Sequence, residues 1–127
     1  MHNMRMTLAA LALFCAACGS APTPTVEGVP DDYPKDVPIY PGAKVTMAQS
    51  GPRQHLRDLM LVSNDSAGKI VDYYRKGLES NGWKIQNTMT SDQVSALTAV
   101  KDNRQAILQV LYREGKSTIN QVVSDKP

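Results

Sequence analysis

Few residues in this chain could do chemistry, and the setting of each narrows what that chemistry would be. Cys18 follows Cys15-Ala16-Ala17, so two small residues stand directly before a thiol that closes an apolar stretch. His55 could act as a general base, with Asp58 three positions away or Ser63 near the end of the same segment. On a strand, however, residues three apart point to opposite faces, which makes His55 and Asp58 poor partners and a solvated histidine the simpler reading. Asp31, Asp32 and Asp36 could draw calcium, but three carboxylates fall short of six to eight oxygen ligands, so solvated charge is the better account. The aromatic set is Tyr33, Tyr40, Tyr73, Tyr74, Trp83 and Tyr112. A groove between a helix and a sheet lined by Trp83, Tyr73, Met47 and Met60 would suit an adaptable apolar site, and the same residues would suit an ordinary core. The sequence contains no G-x-S-x-G elbow, glycine-rich phosphate loop or dinucleotide fingerprint. The expectation is a chain without metal, cofactor or catalytic site.

Composition agrees with that reading. The 127 residues carry 14 basic and 12 acidic side chains, a formal net charge of +2, which gives nucleic-acid binding no electrostatic support. This length holds one domain. Arg5 precedes an apolar run from Thr7 to Ala17, eleven residues long. A membrane-spanning helix needs about 20 apolar residues, so the run has instead the length of a signal-peptide core.

From Arg5 to Cys18 the chain resembles bacterial lipoprotein precursors, whose cleavage motif is an aliphatic residue, two small residues and a cysteine. Cys15 departs from the leucine usual at the first position. The resemblance implies diacylglyceryl transfer to the Cys18 thiol and cleavage before it, with residues 1–17 as signal peptide. Two or three acyl chains anchor stably where one does not, since each buried methylene is worth about 0.8 kcal/mol. Gly19 after the modified cysteine implies the outer membrane, facing the periplasm, in a Gram-negative host. After cleavage one histidine and no free thiol remain, in an oxidising compartment.

Six prolines fall between positions 22 and 41. Residues 18–38 therefore read as the lipidated cysteine and a semi-stiff tether, able to reach about 60 Å at ~3.1 Å per residue. The folded domain is expected over 39–127, entered through Tyr33 to Ala43, which is too proline-rich for a central strand. There Val37, Ile39 and Tyr40 could pack as an extended arm against the domain, and Pro41-Gly42 signals a turn. Lys44 to Gln49 alternates as a strand with Val45 and Met47 on one face, and Gln54 to Val62 reads as a second strand. The clearest element is a helix from about Ser66 to Asn81. Ile70, Tyr74 and Leu78 recur every four residues, with Ala67 and Val71 on the same face. Asp65 or Ser66 can cap its start, and Asn81-Gly82 supplies a left-handed stop before Trp83. Beyond it Trp83, Ile85, Asn87 and Met89 alternate as one face of a strand. Val94 to Lys101, Arg104 to Tyr112 and Ser117 to Val123 follow, separated by Asp102-Asn103 and Glu114-Gly115 turns. The expected fold is α+β, one amphipathic helix packed on a mainly antiparallel sheet in the order β-β-α-β-β-β-β.

Two stretches, DVPIYPGA at 36–43 and SAGKIVDYYRKGLESNGW at 66–83, resemble a recurring pattern in small lipid-anchored or secreted bacterial envelope proteins. A more distant architectural similarity is to helix-grip domains, including those of outer-membrane assembly lipoproteins. Both resemblances imply a fold and a compartment, with no activity to carry over. The expected function is a lipid-anchored, non-enzymatic envelope protein that binds another envelope component or supports an assembly. The alternative is a periplasmic carrier or sensor of a small apolar ligand held between helix and sheet. Intact mass tests the anchor: the membrane-extracted protein should weigh as residues 18–127 plus acyl groups. Cys18→Ala should lose both the added mass and the membrane association, and an unmodified, freely soluble wild type would contradict the anchor.

Overall fold

The structure, a computed structural model, describes residues 27–91 and 93–125. The expected signal peptide, Cys18 and the first part of the tether lie outside the described residues. The elements are β1 (Lys44–Gly51), β2 (Leu56–Ser63), α1 (Ala67–Ser80), β3 (Lys84–Met89), β4 (Val94–Lys101), β5 (Arg104–Arg113) and β6 (Lys116–Asp125), with a 3-10 turn over Arg53–His55. All strand pairs are antiparallel and form one six-stranded sheet ordered β1-β2-β6-β5-β4-β3. The fold is the α+β arrangement expected from the alternation and helical periods. β6 closes the sheet by pairing with β2 on one side and β5 on the other.

Local chemistry explains most element ends. Ser66 is the extended residue before α1, but its side chain makes no capping bond. The Asp65 carboxylate, an expected cap, instead accepts a hydrogen bond from the Tyr40 hydroxyl at 2.5 Å. At the other end Gly82 takes φ +88°, and Trp83 N–H and Gly82 N–H donate to the carbonyls of Leu78 and Glu79. These are the two bonds of a Schellman stop, which needs a left-handed residue after the last turn. The β5–β6 hairpin turns at Glu114-Gly115 with φ +52° and +78°, whereas of Asp102-Asn103 only Asp102 is left-handed, at φ +54°.

Both edge strands contain an irregularity that changes which side chains share a face. β1 shifts register between Val45 and Met47, and β3 between Ile85 and Asn87. A bulge adds one residue and reverses the alternation beyond it. Val45 therefore opposes core-facing Leu61, while Met47 opposes Met60 on the other face. Asn87 and Met89 likewise leave the face of Ile85, and Met89 is 53% exposed. The expected single faces Val45/Met47 and Ile85/Asn87/Met89 are corrected accordingly.

One face of the sheet carries the core, through Leu59 and Leu61 of β2, Leu97 and Ala99 of β4, Ala106, Leu108 and Val110 of β5, and Ile119 and Val123 of β6. α1 packs its Ala67, Ile70, Val71, Tyr74 and Leu78 stripe over β3, β4 and β5. The remainder of that face is covered by an arm, residues 28–43, that precedes β1. Three turns fold the arm, closed by Tyr33 N–H to Pro30 C=O, Val37 N–H to Pro34 C=O and Ala43 N–H to Tyr40 C=O. Turns opening on Pro30 and Pro34 place Tyr33 and Val37 four apart on one side, and both are buried in the core with Tyr40. Packed structure thus starts ahead of the boundary at residue 39, within the expected entry from Tyr33, and the arm is folded by turns opened at its prolines where an extended arm was expected.

Candidate functional site

The site with the most developed chemistry is the cleft enclosed by α1 and the sheet. Its apolar walls are Leu59, Leu61, Leu97, Leu108, Ile119 and Leu78, each at most 3% exposed. A helix over one half of a wide sheet leaves the other half open, and here the arm fills it. Between the walls remains only a void of about 10 Å³, bordered by Val37, Tyr74, Leu108 and Gln121. That is room for about one water.

A polar network runs through the filled cleft. Gln121 of β6 is 2% exposed, in an otherwise apolar row with Ile119 and Val123. Its Oε1 accepts from Tyr74 Oη at 2.6 Å, and its Nε2 donates to Tyr33 Oη at 2.5 Å and to Pro38 C=O at 3.3 Å. Tyr40 N–H donates to Tyr74 Oη at 3.0 Å. Burial pushes the Tyr33 and Tyr74 hydroxyls above the ordinary tyrosine range, so both stay neutral. Helix, sheet and arm therefore satisfy one another, and the arm supplies three of these partners. Outside the network Tyr40 meets Tyr73 edge-on at 5.3 Å and stacks against Tyr74 at 6.3 Å.

Charge holds the arm at one end of the cleft. Asp36 accepts from Lys101 Nζ at 3.0 Å and from both terminal nitrogens of Arg104, of which Nη1 stands at 3.0 Å. Its backbone carbonyl accepts from Trp83 Nε1 at 2.9 Å and Asn81 Nδ2 at 3.1 Å. Arg104 also lies over the Trp83 ring, 5.0 Å from its centre, a favourable cation–π position. The Arg104 hydrogen bonds, assisted by Lys101, hold the Asp36 carboxyl down at about 2, against a burial effect of opposite sign. Asp32 pairs with Arg57 at 3.0 Å. Gly77 lets the arm approach α1, since a Cβ there would stand 2.6 Å from Pro38 Cγ.

The residues singled out in the sequence fall in different places. Trp83 is buried at the end of α1, and Tyr73 is 40% exposed on the helix beside the arm. Met47 and Met60 oppose each other on the sheet face away from α1, so the four do not line one groove. His55 lies in the 3-10 turn at φ +48° rather than in β2, with Nδ1 2.6 Å from Asp125 Oδ2 in place of Asp58. Among the described residues no three His, Cys, Asp or Glu side chains gather as a metal site. Asp32 and Asp36, read as solvated charge, are instead engaged with Arg57, Lys101 and Arg104. Gln121 was missed; its signal is a lone amide in an inward-facing alternation.

Fold and site define a domain in which one helix and one antiparallel sheet enclose an apolar core that the arm completes. A family-wide sequence profile described as START domain-like matches residues 44–118, more than half of the chain, which therefore belongs to that family. No curated protein and no solved structure matches the chain. The matched segment begins where the arm ends.

The ion pair at Asp36 has a signed pH dependence. Its folded pKa of about 2 lies below the ordinary 3.8, so the stabilisation is present above pH ~4 and is lost as pH falls toward 2. Asp36→Asn should cost about 2 kcal/mol at pH 7, as expected for hydrogen bonds to a charged group, and that difference should shrink to about 0.4 kcal/mol by pH 2. Urea unfolding of both forms across this range measures it; equal stability at pH 7 would contradict the clasp.

Proposed function

We propose that this chain is a membrane-tethered, non-enzymatic binding protein that takes an apolar ligand between α1 and the sheet. The observation that carries the reading is the division of the cleft. The family-matched residues 44–118 supply the helix and most of the sheet, while part of the filling comes from an arm that precedes them. Vacated by the arm, an apolar enclosure lined by leucines with few polar groups aimed inward would have the make-up of a small-molecule site. Hydrophobic ligand binding, as in START-like domains generally, supports the same reading. The arm occupies the place a ligand would take, so binding requires the arm to move. The Cys18 anchor and the envelope location rest on the sequence and complete the proposal: a lipid at Cys18 would hold the cleft near a membrane.

Attachment to another envelope protein is the second reading, favoured by the outer face of the sheet, which no described residue covers. Met89, Val94, Ile107 and Leu111 are each 37–53% exposed there. It is compatible with a ligand in the cleft.

The single tryptophan, Trp83, reports on the end of the cleft. Titration with the neutral lipophile N-phenyl-1-naphthylamine should give saturable binding at one site per chain, with a parallel change in Trp83 emission. Unsaturable partitioning with unchanged Trp83 emission would overturn the ligand reading.

A further inference from the structure

The contacts that hold the arm in the cleft are chemically those of a ligand with two parts. Tyr33, Val37 and Tyr40 supply an apolar body buried under α1, and Asp32 and Asp36 supply carboxylates at one end of it. The groups meeting those carboxylates all belong to the sheet. Ala99, Ala106, Val123 and Arg57 stand in one cross-strand row, and Lys101, Arg104 and Asp125 in the next. Arg57, Lys101 and Arg104 therefore point to the cleft side and form its basic end.

Two observations indicate that this end is built for an anion beyond what the arm supplies. Arg57 donates Nη1 to its neighbouring carbonyl of Leu56 and pairs Nη2 with Asp32, yet its Nε is buried without a hydrogen-bond partner among the described residues. An open recess of about 180 Å³ lies beside it, lined by Asp32, His55, Arg57, Arg104 and Asp125. Asp125 is the adverse charge, and His55 stands against it at 2.6 Å. If the arm left, Arg57 and Arg104 would lose their carboxylates and Gln121 Nε2 would lose both acceptors. An incoming molecule has to replace those groups, because unpaired buried donors cost about 1–3 kcal/mol each.

We propose that the arm is a built-in stand-in for an anionic amphiphile, and that the cleft binds such a molecule, a carboxylate or phosphate head on an apolar tail, in competition with Asp32 and Asp36. The inference rests on the cleft reading above and adds the charge of the ligand and the means of control. The head would lie against Arg57, Arg104 and Lys101, and the tail along the path of Tyr33 and Val37. The ligand-competent population is then set by how firmly the carboxylates hold the arm, so weakening them raises apparent affinity in proportion.

The full chain is titrated with cis-parinaric acid and with its uncharged methyl ester. The double variant Asp32→Asn/Asp36→Asn should bind the acid at least about tenfold more tightly than wild type, since it frees the arginines and loosens the arm together. The acid should be preferred to the ester. Arg57→Gln/Arg104→Gln loosens the same arm from the other side, and it should raise ester binding while abolishing the preference for the acid. Equal gains for acid and ester in both variants would overturn the anionic head and leave the apolar cleft standing. Failure of both probes to bind any folded form, judged by circular dichroism and Trp83 emission, would overturn the cleft reading and this inference with it. Lipid uptake from phosphatidylglycerol vesicles but not phosphatidylcholine vesicles would support a phospholipid as the source of the anion. Binding of parinarate without such uptake would support a free carboxylic acid.

Discussion

The arrangement depends most on the ion pair that Asp36 makes with Lys101 and Arg104. Those cations sit on either side of the β4–β5 turn, and Lys101 also donates to the Asn81 carbonyl at the end of α1 at 2.8 Å. Trp83, fixed by the helix stop, donates to the Asp36 backbone and carries Arg104 on its ring. One carboxylate thus joins the arm, the helix terminus and a hairpin. Each group alone would be a surface charge of small worth. Together, partly buried and hydrogen-bonded from two cations, they make a network in which removing one member leaves the others unpaired.

The interior explains why such a clasp is needed. A sheet of six strands is wider than one helix can cover, so part of its apolar face must be buried by something else. The arm does this with three short turns, yet it lacks strand pairing to hold it. Its attachment comes from the Tyr33 hydroxyl and the Tyr40 N–H in the core network and from the Asp32 and Asp36 carboxylates at the rim. An element held without a strand ladder, by bonds that each involve a side chain, can separate from the sheet at less cost than a strand can. The cleft therefore has a cover whose strength is set by a few charges, which is what an exchangeable filling requires.

Much of the frame is legible in the sequence because it is written in local periods. The four-residue recurrence of Ile70, Tyr74 and Leu78, the Asn81-Gly82 stop and the alternation of β4 to β6 each have one physical reading. What escapes is non-local. The two bulges lie on edge strands, and each reverses the alternation of the rest of its strand, which moves Met47 and Met89 off the core face. That an arm around Val37 and Tyr40 packs on the domain is legible, but its turns and the burial of Tyr33 are not, because proline serves extended segments and turns equally. The pairing of Asp36 with Arg104 spans 68 positions, and no local pattern announces it. Gln121 could be suspected as a lone amide between Ile119 and Val123, but its partners come from the arm and α1.

Native-state hydrogen exchange tests the central claim most directly, that the arm fills the cleft as a separable cover. The amides of Val37 and Tyr40, bonded to Pro34 C=O and Tyr74 Oη, report on the arm, and those of Leu108 and Ile119 report on the sheet. The account predicts protected arm amides that open with a smaller free energy than the sheet, as a sub-global unit. Arm amides exchanging as fast as unstructured chain would show that the arm does not fill the cleft. Arm amides exchanging only with global unfolding would show that it is not a cover that can be displaced.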